Sequence, residues 1–357
     1  MRFPMILAAS LLLTTSVFAQ GCVADTDETE EAALTSAKTL AKGVAYPSGL
    51  AVTGGHVYFG SNKFIASGDP DLDQQNAYWT GKFSRVPVGG GRAELVTDVG
   101  PITNVRAGGG RVYYTMSDAC WITSVDPAHL GTTKTVYDDA DCTGEGPGTV
   151  AGFEIAGESL VVVRVDGKIL KGKLDGTGMR QLAEIRVGDW GDVVDSQVVA
   201  GNNLFVLTQR GHSTNAGAAI PQVLYRIALD TGRSTKVTDF TTAPSNLVSD
   251  GNNVYYATEG TKVMGITGGV GAPKVVAEGL GQIIDLAADG TNLFIADSKR
   301  GSVYVVKNAP SAPQKQKKLV AAKGIQALTA SGGTVYFGTH VIENNKYAGI
   351  LGSVTFQ

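Results

Sequence analysis

The feature that most restricts the fold of this sequence is a short segment that occurs seven times along the chain. Each copy is rich in β-branched and aromatic residues, a composition that favours a β-strand. The copies begin at Val57, Val112, Leu160, Leu204, Val254, Leu293 and Val335. Their starts lie about 40 to 55 residues apart, which is the length that the four strands of a propeller blade require.

A glycine stands three residues before every copy of this strand. The seven are Gly54, Gly109, Gly157, Gly201, Gly251, Gly290 and Gly332. With 47 glycines among 357 residues, chance would produce this coincidence about once in a million. A hairpin turn with positive φ explains it, because glycine has no Cβ to clash there. The residues four positions earlier are nearly all apolar and predict an inner strand: Leu50, Val105, Phe153, Gln197, Leu247, Leu286 and Leu328.

The last repeat has no outer strand of its own, and a matching strand stands at the beginning of the repeat region. The final segment, 348–357, supplies a third strand only. The segment 38–44 resembles the outer strand of the sixth repeat, at 318–325. A ring closed by this segment would leave no unpaired sheet edge. We therefore predict an all-β fold, a seven-bladed β-propeller over residues 38–357, in which segment 38–44 completes the last blade.

The repeat resembles those of the YWTD and NHL propeller families, in which an inner strand, a turn with Gly or Asp and an aromatic strand follow in this order. It is also similar to bacterial exported and lipoprotein propellers that themselves resemble the receptor-type YWTD modules. The resemblance covers 38–357, but only Asp297 retains the Asp that the family usually carries after the aromatic strand. It implies that ligands bind at the face that carries the connections between blades and the loops between the second and third strands.

The first 21 residues have the composition of a secretory signal. Arg2 precedes the apolar run 5–18, which is shorter than the roughly 20 residues of a membrane-spanning helix. Cleavage after Ala19 would release a secreted protein. Alternatively, residues 19–22 resemble a lipoprotein box, in which Cys22 would become lipidated and anchor the protein in the cell envelope, on the periplasmic or the outer surface.

The cysteine count favours the lipidated alternative. The chain has three cysteines, and an odd number in an exported protein needs a use for the remaining thiol. Lipidation of Cys22 leaves Cys120 and Cys142, which both lie in the second repeat and at the same rim. We predict a disulfide between these two residues.

Residues 22–37 contain five acidic residues and no basic one, and they predict a solvated tether. Without these five and Arg2, 29 basic and 28 acidic residues remain of the 30 and 33 in the chain. This balance gives no support to nucleic-acid binding. We expect a monomer.

Candidate binding residues cluster on the predicted loop face. The three tryptophans all fall there, where they could recognise a partner or wedge between blades as packing. The candidate set is Trp79, Trp121, Asp189, Trp190, Asp192, His212, Glu259, Asp297, Arg300 and His340.

The sequence gives no cofactor. Asp69, Asp71 and Asp73 alternate as in a calcium loop, but Gln74 and Thr80 replace the required Gly and bidentate Glu. No spacing typical of a zinc site, a phosphate loop or a serine nucleophile occurs. We predict no metal site, and calcium is unsupported.

Two functions remain open. The first is an envelope-tethered binding or scaffold module for a peptide, glycan or protein. The second, which a similarity to lactonase and lyase propellers implies, is an exported hydrolase or lyase acting at the channel mouth. Its candidate residues are Asp189, Asp192, His212, Glu259, Asp297 and His340. The inner positions that hold a divalent cation in lactonases are here mainly Ala, Val, Ser and Leu, so the binding module is favoured.

Overall fold

A computed structural model describes residues 37–65, 78–140, 142, 149–185, 194–208, 222–240, 244–309, 315–343 and 346–356. Within these residues the chain forms seven four-stranded antiparallel sheets and one short two-stranded hairpin. The first strand among the described residues is β1, Lys38–Val44, which belongs to the last blade.

The first four blades follow one another along the chain, each running from its inner to its outer strand. Blade 1 has β2 Pro47–Thr53, β3 His56–Ile65, β4 Tyr78–Pro87 and β5 Glu94–Val99. Blade 2 has β6 Ile102–Gly108, β7 Arg111–Met116, β8 Trp121–Asp126 and β9 His129–Asp138. Blade 3 has β10 Val150–Ala156, β11 Ser159–Arg164, β12 Lys168–Lys173 and β13 Arg180–Glu184. Blade 4 has β14 Val194–Ala200, β15 Asn203–Thr208, β16 Gln222–Ala228 and β17 Ser234–Phe240.

The remaining blades complete the ring. Blade 5 has β18 Pro244–Ser249, β19 Val254–Thr258, β20 Lys262–Ile266, a 3-10 turn at Thr267–Gly269 and β21 Lys274–Ala277. Blade 6 has β22 Ile283–Asp289, β23 Asn292–Asp297, β24 Ser302–Val306 and β25 Lys317–Ala321. Blade 7 has β26 Ile325–Ser331, β27 Thr334–Thr339, β30 Gly349–Thr355 and the strand β1. The hairpin β28 Ile342–Glu343 and β29 Lys346–Tyr347 lies between β27 and β30.

The repeated glycines form the turns that the sequence predicts. All seven have positive φ, from 54° at Gly201 to 96° at Gly251. Each turn joins an inner strand to the aromatic strand of its blade, and the predicted inner-strand residues are buried, including Gln197. Every inner strand also carries a bulge, which includes this buried residue in blades 1 and 5 and lies just before it in the other five.

The ring closes as predicted. Strand β1 pairs antiparallel with β30, from Lys38 opposite Ser353 to Val44 opposite Gly349. Leu40 and Val44 are buried against Leu50 of the first blade. The segment 38–44 therefore joins the last blade to the first through both backbone pairing and apolar packing.

The topology defines two faces. One face, which we call the loop face, carries the connections between blades and the turns between the second and third strands of each blade. The other face carries the glycine turns and the turns between third and fourth strands. The inner strands surround a channel that opens along the axis of the ring.

Candidate functional site

Four ring side chains meet on the loop face where the last blade joins the first. Tyr46, in the connection from β1 to β2, stacks on the imidazole of His340, with ring centroids 3.5 Å apart. Trp79, on β4, meets the Tyr46 ring edge-on at a centroid distance of 5.1 Å. Tyr347, on β29, lies edge-on to the same ring at 6.4 Å. We call Tyr46, Trp79, His340 and Tyr347 the seam cluster.

The backbone of Tyr46 adopts an unusual conformation. Its φ is +30°, in a region that bulky L-residues rarely occupy, and the following Pro47 restricts it further. Its N–H donates to Nδ1 of His340 at 3.4 Å, and its carbonyl accepts from the N–H of Asn62 at 3.4 Å. The surrounding contacts therefore hold Tyr46 in a strained conformation, and strain of this kind concentrates at functional sites.

His340 is a neutral ring in this arrangement. Burial lowers the pKa of His340 below its ordinary value of about 6.5. Because Nδ1 accepts the hydrogen bond from Tyr46, the proton of the neutral imidazole lies on Nε2. The stack thus joins two uncharged aromatic rings.

The outer side of the seam cluster is open to solvent. Trp79 is 44% exposed, and the exposed Lys63 places its Nζ 5.7 Å from the centroid of the Tyr347 ring. Large rings with a polar atom at one end provide contact area at little cost in side-chain entropy, and they are enriched where proteins bind one another. The arrangement offers a stepped aromatic surface with one positive charge beside it.

Trp121, the other predicted loop-face tryptophan with a described position, has a different environment. It is half-buried and packs on the core between the first two blades. Its ring lies edge-on to Tyr114 at 6.0 Å, and its carbonyl accepts a hydrogen bond from Oγ1 of Thr115. Trp121 therefore packs within its own part of the ring and makes no ring contact with the seam cluster.

Asp297 fastens a connection between blades. Its side chain is fully buried, and its oxygens accept from the N–H groups of Gly281 at 2.6 Å, Gln282 at 3.1 Å and Arg300 at 3.0 Å. Arg300 in turn donates to the carbonyl of Gly279 at 2.7 Å. These bonds hold the entry to blade 6 against the turn that follows β23.

Glu259 lies in the turn between β19 and β20, with a φ of +55°. Its exposed carboxylate pairs with Nζ of Lys262 at 3.0 Å. The structure therefore separates Glu259, Asp297 and His340 into three environments and does not assemble them into one site.

The other candidate residues lie outside the described residues. These are Asp189, Trp190, Asp192 and His212, together with Cys22 and the acidic loop that contains Asp69, Asp71 and Asp73.

The predicted disulfide between Cys120 and Cys142 is present. It joins the turn before β8 to the connection between blades 2 and 3, with Cα atoms 5.7 Å apart. The same connection is held by a hydrogen bond from the N–H of Val150 to the carbonyl of Ala119. The bridge therefore secures the loop face at the second blade.

The central channel contains charged side chains that the sequence analysis missed. Its volume is about 570 Å³, and its wall includes Arg106, Glu154 and Asp285. Arg106 and Glu154 form a two-point ion pair, with a shortest N–O distance of 2.6 Å. They occupy equivalent positions on β6 and β10, one residue after the buried apolar residue, so alignment of the repeats could have revealed them.

Arg106, which forms the ion pair with Glu154, and Asp285, which forms none, differ in their electrostatics. Burial opposes the charge of Arg106, but the charge and hydrogen bonds of Glu154, together with the charge of Asp285, raise the pKa of Arg106. Burial raises the pKa of Asp285 to about 7, although the N–H groups of Leu328 and Leu286 and the charge of Arg106 act in the opposite direction. The channel therefore contains one carboxyl group that titrates near neutral pH.

Within the described part of the chain, no three His, Cys, Asp or Glu side chains lie close enough together to hold a metal ion. The same residues include no helix with the length and apolar character needed to cross a membrane.

This ring of seven blades defines a β-propeller, and comparisons with solved structures agree. The structure described as YCF48 bound to D1 peptide has a TM-score of 0.59 and 12% identity, over 90% of this chain and 96% of the other. YCF48 from Cyanidioschyzon merolae gives the same score and identity, over 90% and 98%. The computationally designed Ika8 protein has a TM-score of 0.53 and 13% identity, over 89% and 98%. No protein-family model and no curated protein matches the sequence.

Proposed function

We propose that this chain is a binding propeller that recognises a peptide segment of a partner protein through the seam cluster on its loop face. The proposal rests on one observation: the exposed Trp79 contacts the strained Tyr46, and Tyr46 stacks on His340. Aromatic anchors on a rigid support are the usual centres of binding energy at protein interfaces. The propeller provides that support, because three different connections contribute to the cluster.

A peptide fits this surface better than a flat protein face does. The rings of Tyr46, Trp79 and Tyr347 meet at right angles or steep angles, between 68° and 81°, and so form a step rather than a plane. A single apolar or proline side chain could rest in such a step, as peptides do in other aromatic-lined grooves. The structure described as YCF48 bound to D1 peptide is a precedent for a peptide on this fold.

We also propose that the protein is exported and anchored in the cell envelope. The signal at 1–21, the lipoprotein box ending at Cys22 and the acidic tether at 22–37 support this location. The disulfide between Cys120 and Cys142 supports an oxidising compartment. We propose in addition that the chain is related to the YWTD and NHL propellers it resembles and that it is a monomer. Cys22→Ala should move the protein from the membrane fraction to the soluble fraction, and an unchanged distribution would contradict the anchor.

The binding site is tested with peptides selected from a random display library on the purified protein. Trp79→Ala should weaken the selected peptides about tenfold or more, because it removes the exposed ring at the centre of the cluster. Leu95→Ala is the matched control, since Leu95 is similarly exposed at 52% but lies on the outer strand β5. Affinities are measured by calorimetry.

Selected peptides that bind Trp79→Ala as tightly as the wild type would overturn the site. A glycan array probed with the same variants would reveal a carbohydrate ligand instead, again through loss of binding in Trp79→Ala. The alternative function as a hydrolase or lyase stays a prediction, because Asp189, Asp192 and His212 lie outside the described residues.

A further inference from the structure

Two inner strands make the same type of contact with the next blade. In each, the residue that follows the bulge accepts a hydrogen bond from the neighbouring inner strand. In blade 4 this residue is Ser196, whose Oγ accepts from the N–H of Leu247 at 3.0 Å. In blade 6 it is Asp285, whose Oδ2 accepts from the N–H of Leu328 at 2.6 Å. The contact needs a single acceptor oxygen, so the charge of Asp285 exceeds what the fold requires.

Asp285 forms no ion pair in the channel, although the charge of Arg106 acts on it from a distance and lowers its pKa. Nε and Nη2 of Arg106 both donate to the carboxylate of Glu154, and its Nη1 donates to the carbonyl of Val105. Of the described residues that line the channel, only Arg106, Glu154 and Asp285 are charged, and Asp285 forms no ion pair with any of them. The described channel wall therefore carries two carboxyl groups and a single cation, and the cation is bonded to Glu154.

The surroundings of Asp285 suit a small organic molecule. A volume of about 570 Å³ lies within the range of sites that bind small ligands. The lining residues include the half-buried Val198 and Ile284 and the hydroxyl-bearing Ser249 and Thr329. A divalent metal prefers several oxygen ligands, whereas one carboxylate near a few apolar side chains matches an ammonium group on a short hydrocarbon chain.

We propose that the central channel binds a small organic cation whose ammonium group pairs with the carboxylate of Asp285 while its short hydrocarbon part contacts half-buried apolar residues of the wall such as Ile284. The site is independent of the seam cluster. Each oxygen of Asp285 accepts one backbone N–H, from Leu286 and Leu328, and each retains a second lone pair for the ligand.

The affinity should depend on pH. Asp285, whose pKa is raised to about 7, must lose its proton to pair with a cation, so binding tightens as the pH rises. Arg106, whose pKa is raised, keeps its charge over this range, so we expect Asp285 to govern the dependence. A ligand that stays protonated should bind about tenfold more tightly at pH 8 than at pH 6.

Binding is tested with butylamine, and butanol serves as its uncharged control. The NMR chemical shift of the Leu328 amide is the measured signal. We expect a saturable shift with millimolar butylamine and none with butanol. Asp285→Ser should weaken butylamine about tenfold or more, and it retains the acceptor oxygen that Ser196 uses in blade 4. Ser196→Ala is the control for altered packing, because it removes the hydrogen bond to Leu247 and leaves the charge of the channel unchanged. It should bind butylamine as the wild type does.

Several results would overturn the proposal. They are a wild type that shows no saturable shift, an Asp285→Ser variant that binds butylamine normally, and equal responses to butylamine and butanol. Trp79→Ala should leave butylamine binding unchanged. This variant separates the channel site from the proposed peptide site, since each can fail without the other.

Discussion

At the scale of single residues, the pair formed by Tyr46 and His340 concentrates the unusual chemistry of the loop face. Tyr46 has a positive φ, which costs free energy for a side chain of its size. This conformation allows its N–H to donate to Nδ1 of His340 and its ring to stack on the imidazole. The pair is therefore maintained by the packing of two blades against each other and not by local preference.

The titration of His340 should report this packing. Since burial lowers its pKa, the folded protein binds a proton less readily than the unfolded chain. The contribution to stability is present above the unfolded pKa of about 6.5 and is lost as the pH falls below it. We expect an NMR titration of the imidazole to give a midpoint below 6.5.

Two variants test the cause of this shift. Tyr46→Gly removes the stacked ring and relieves the positive φ, so the midpoint should rise toward 6.5. Tyr347→Phe keeps a ring beside the imidazole and should leave the midpoint unchanged. A wild-type midpoint at or above 6.5 would contradict the burial of the neutral ring.

At the scale of elements, the connections between blades need support that strand pairing alone does not provide. The connection into blade 6 is held by Asp297, and the connection between blades 2 and 3 is held by the disulfide of Cys120 and Cys142. Both supports lie on the loop face. They fix the positions at which neighbouring blades present their loops.

The disulfide should contribute measurably to stability. A separation of 22 residues corresponds to about 3 kcal/mol of lost chain entropy in the unfolded state. Replacement of both Cys120 and Cys142 by serine should lower the free energy of urea unfolding by this amount. Reduction of the wild type serves as the control, because it breaks the same bond without a substitution. A loss below about 1 kcal/mol in both experiments would show that other contacts hold the connection.

At the scale of the whole molecule, the ring depends on a strand from the beginning of the repeat region. Leu40 is 3% exposed and Val44 is 4% exposed, and both pack in the core that joins blades 7 and 1. Without β1 the edge of β30 would be unpaired and this core would be open. Closure thus couples the stability of the two blades.

Substitutions in β1 measure this coupling. Leu40→Ala should lower the free energy of unfolding by about 2–5 kcal/mol, as other large-to-small changes in a core do. Lys42→Ala is the matched control, because Lys42 lies on the same strand but is exposed, and it should change stability by less than about 0.5 kcal/mol. Both are measured by urea unfolding.

Truncation gives a stronger test of closure. A chain beginning at Ala37 should melt in one cooperative transition, whereas a chain beginning at Ala45 should lose that cooperativity. Equal melting of the two chains would show that the ring does not need β1.

The architecture could be predicted from the sequence because the patterns that define it involve residues close together in the chain. A positive-φ glycine turn, an apolar inner residue and a β-rich aromatic strand each depend on neighbouring residues, and their repetition counts the blades. Even the closing strand could be recognised by its likeness to an outer strand elsewhere. The disulfide was also predictable, since the repeat placed Cys120 and Cys142 at one rim.

The sites were decided by the tertiary structure. The hydrogen bond between Tyr46 and His340 spans 294 positions of the chain, and no local pattern marks Tyr46 or Tyr347 as their partners. Likewise, only the closed ring shows that Arg106 pairs with Glu154 while Asp285 forms no ion pair. Secondary structure depends on residues near in sequence, but a site depends on which distant residues the ring brings into contact.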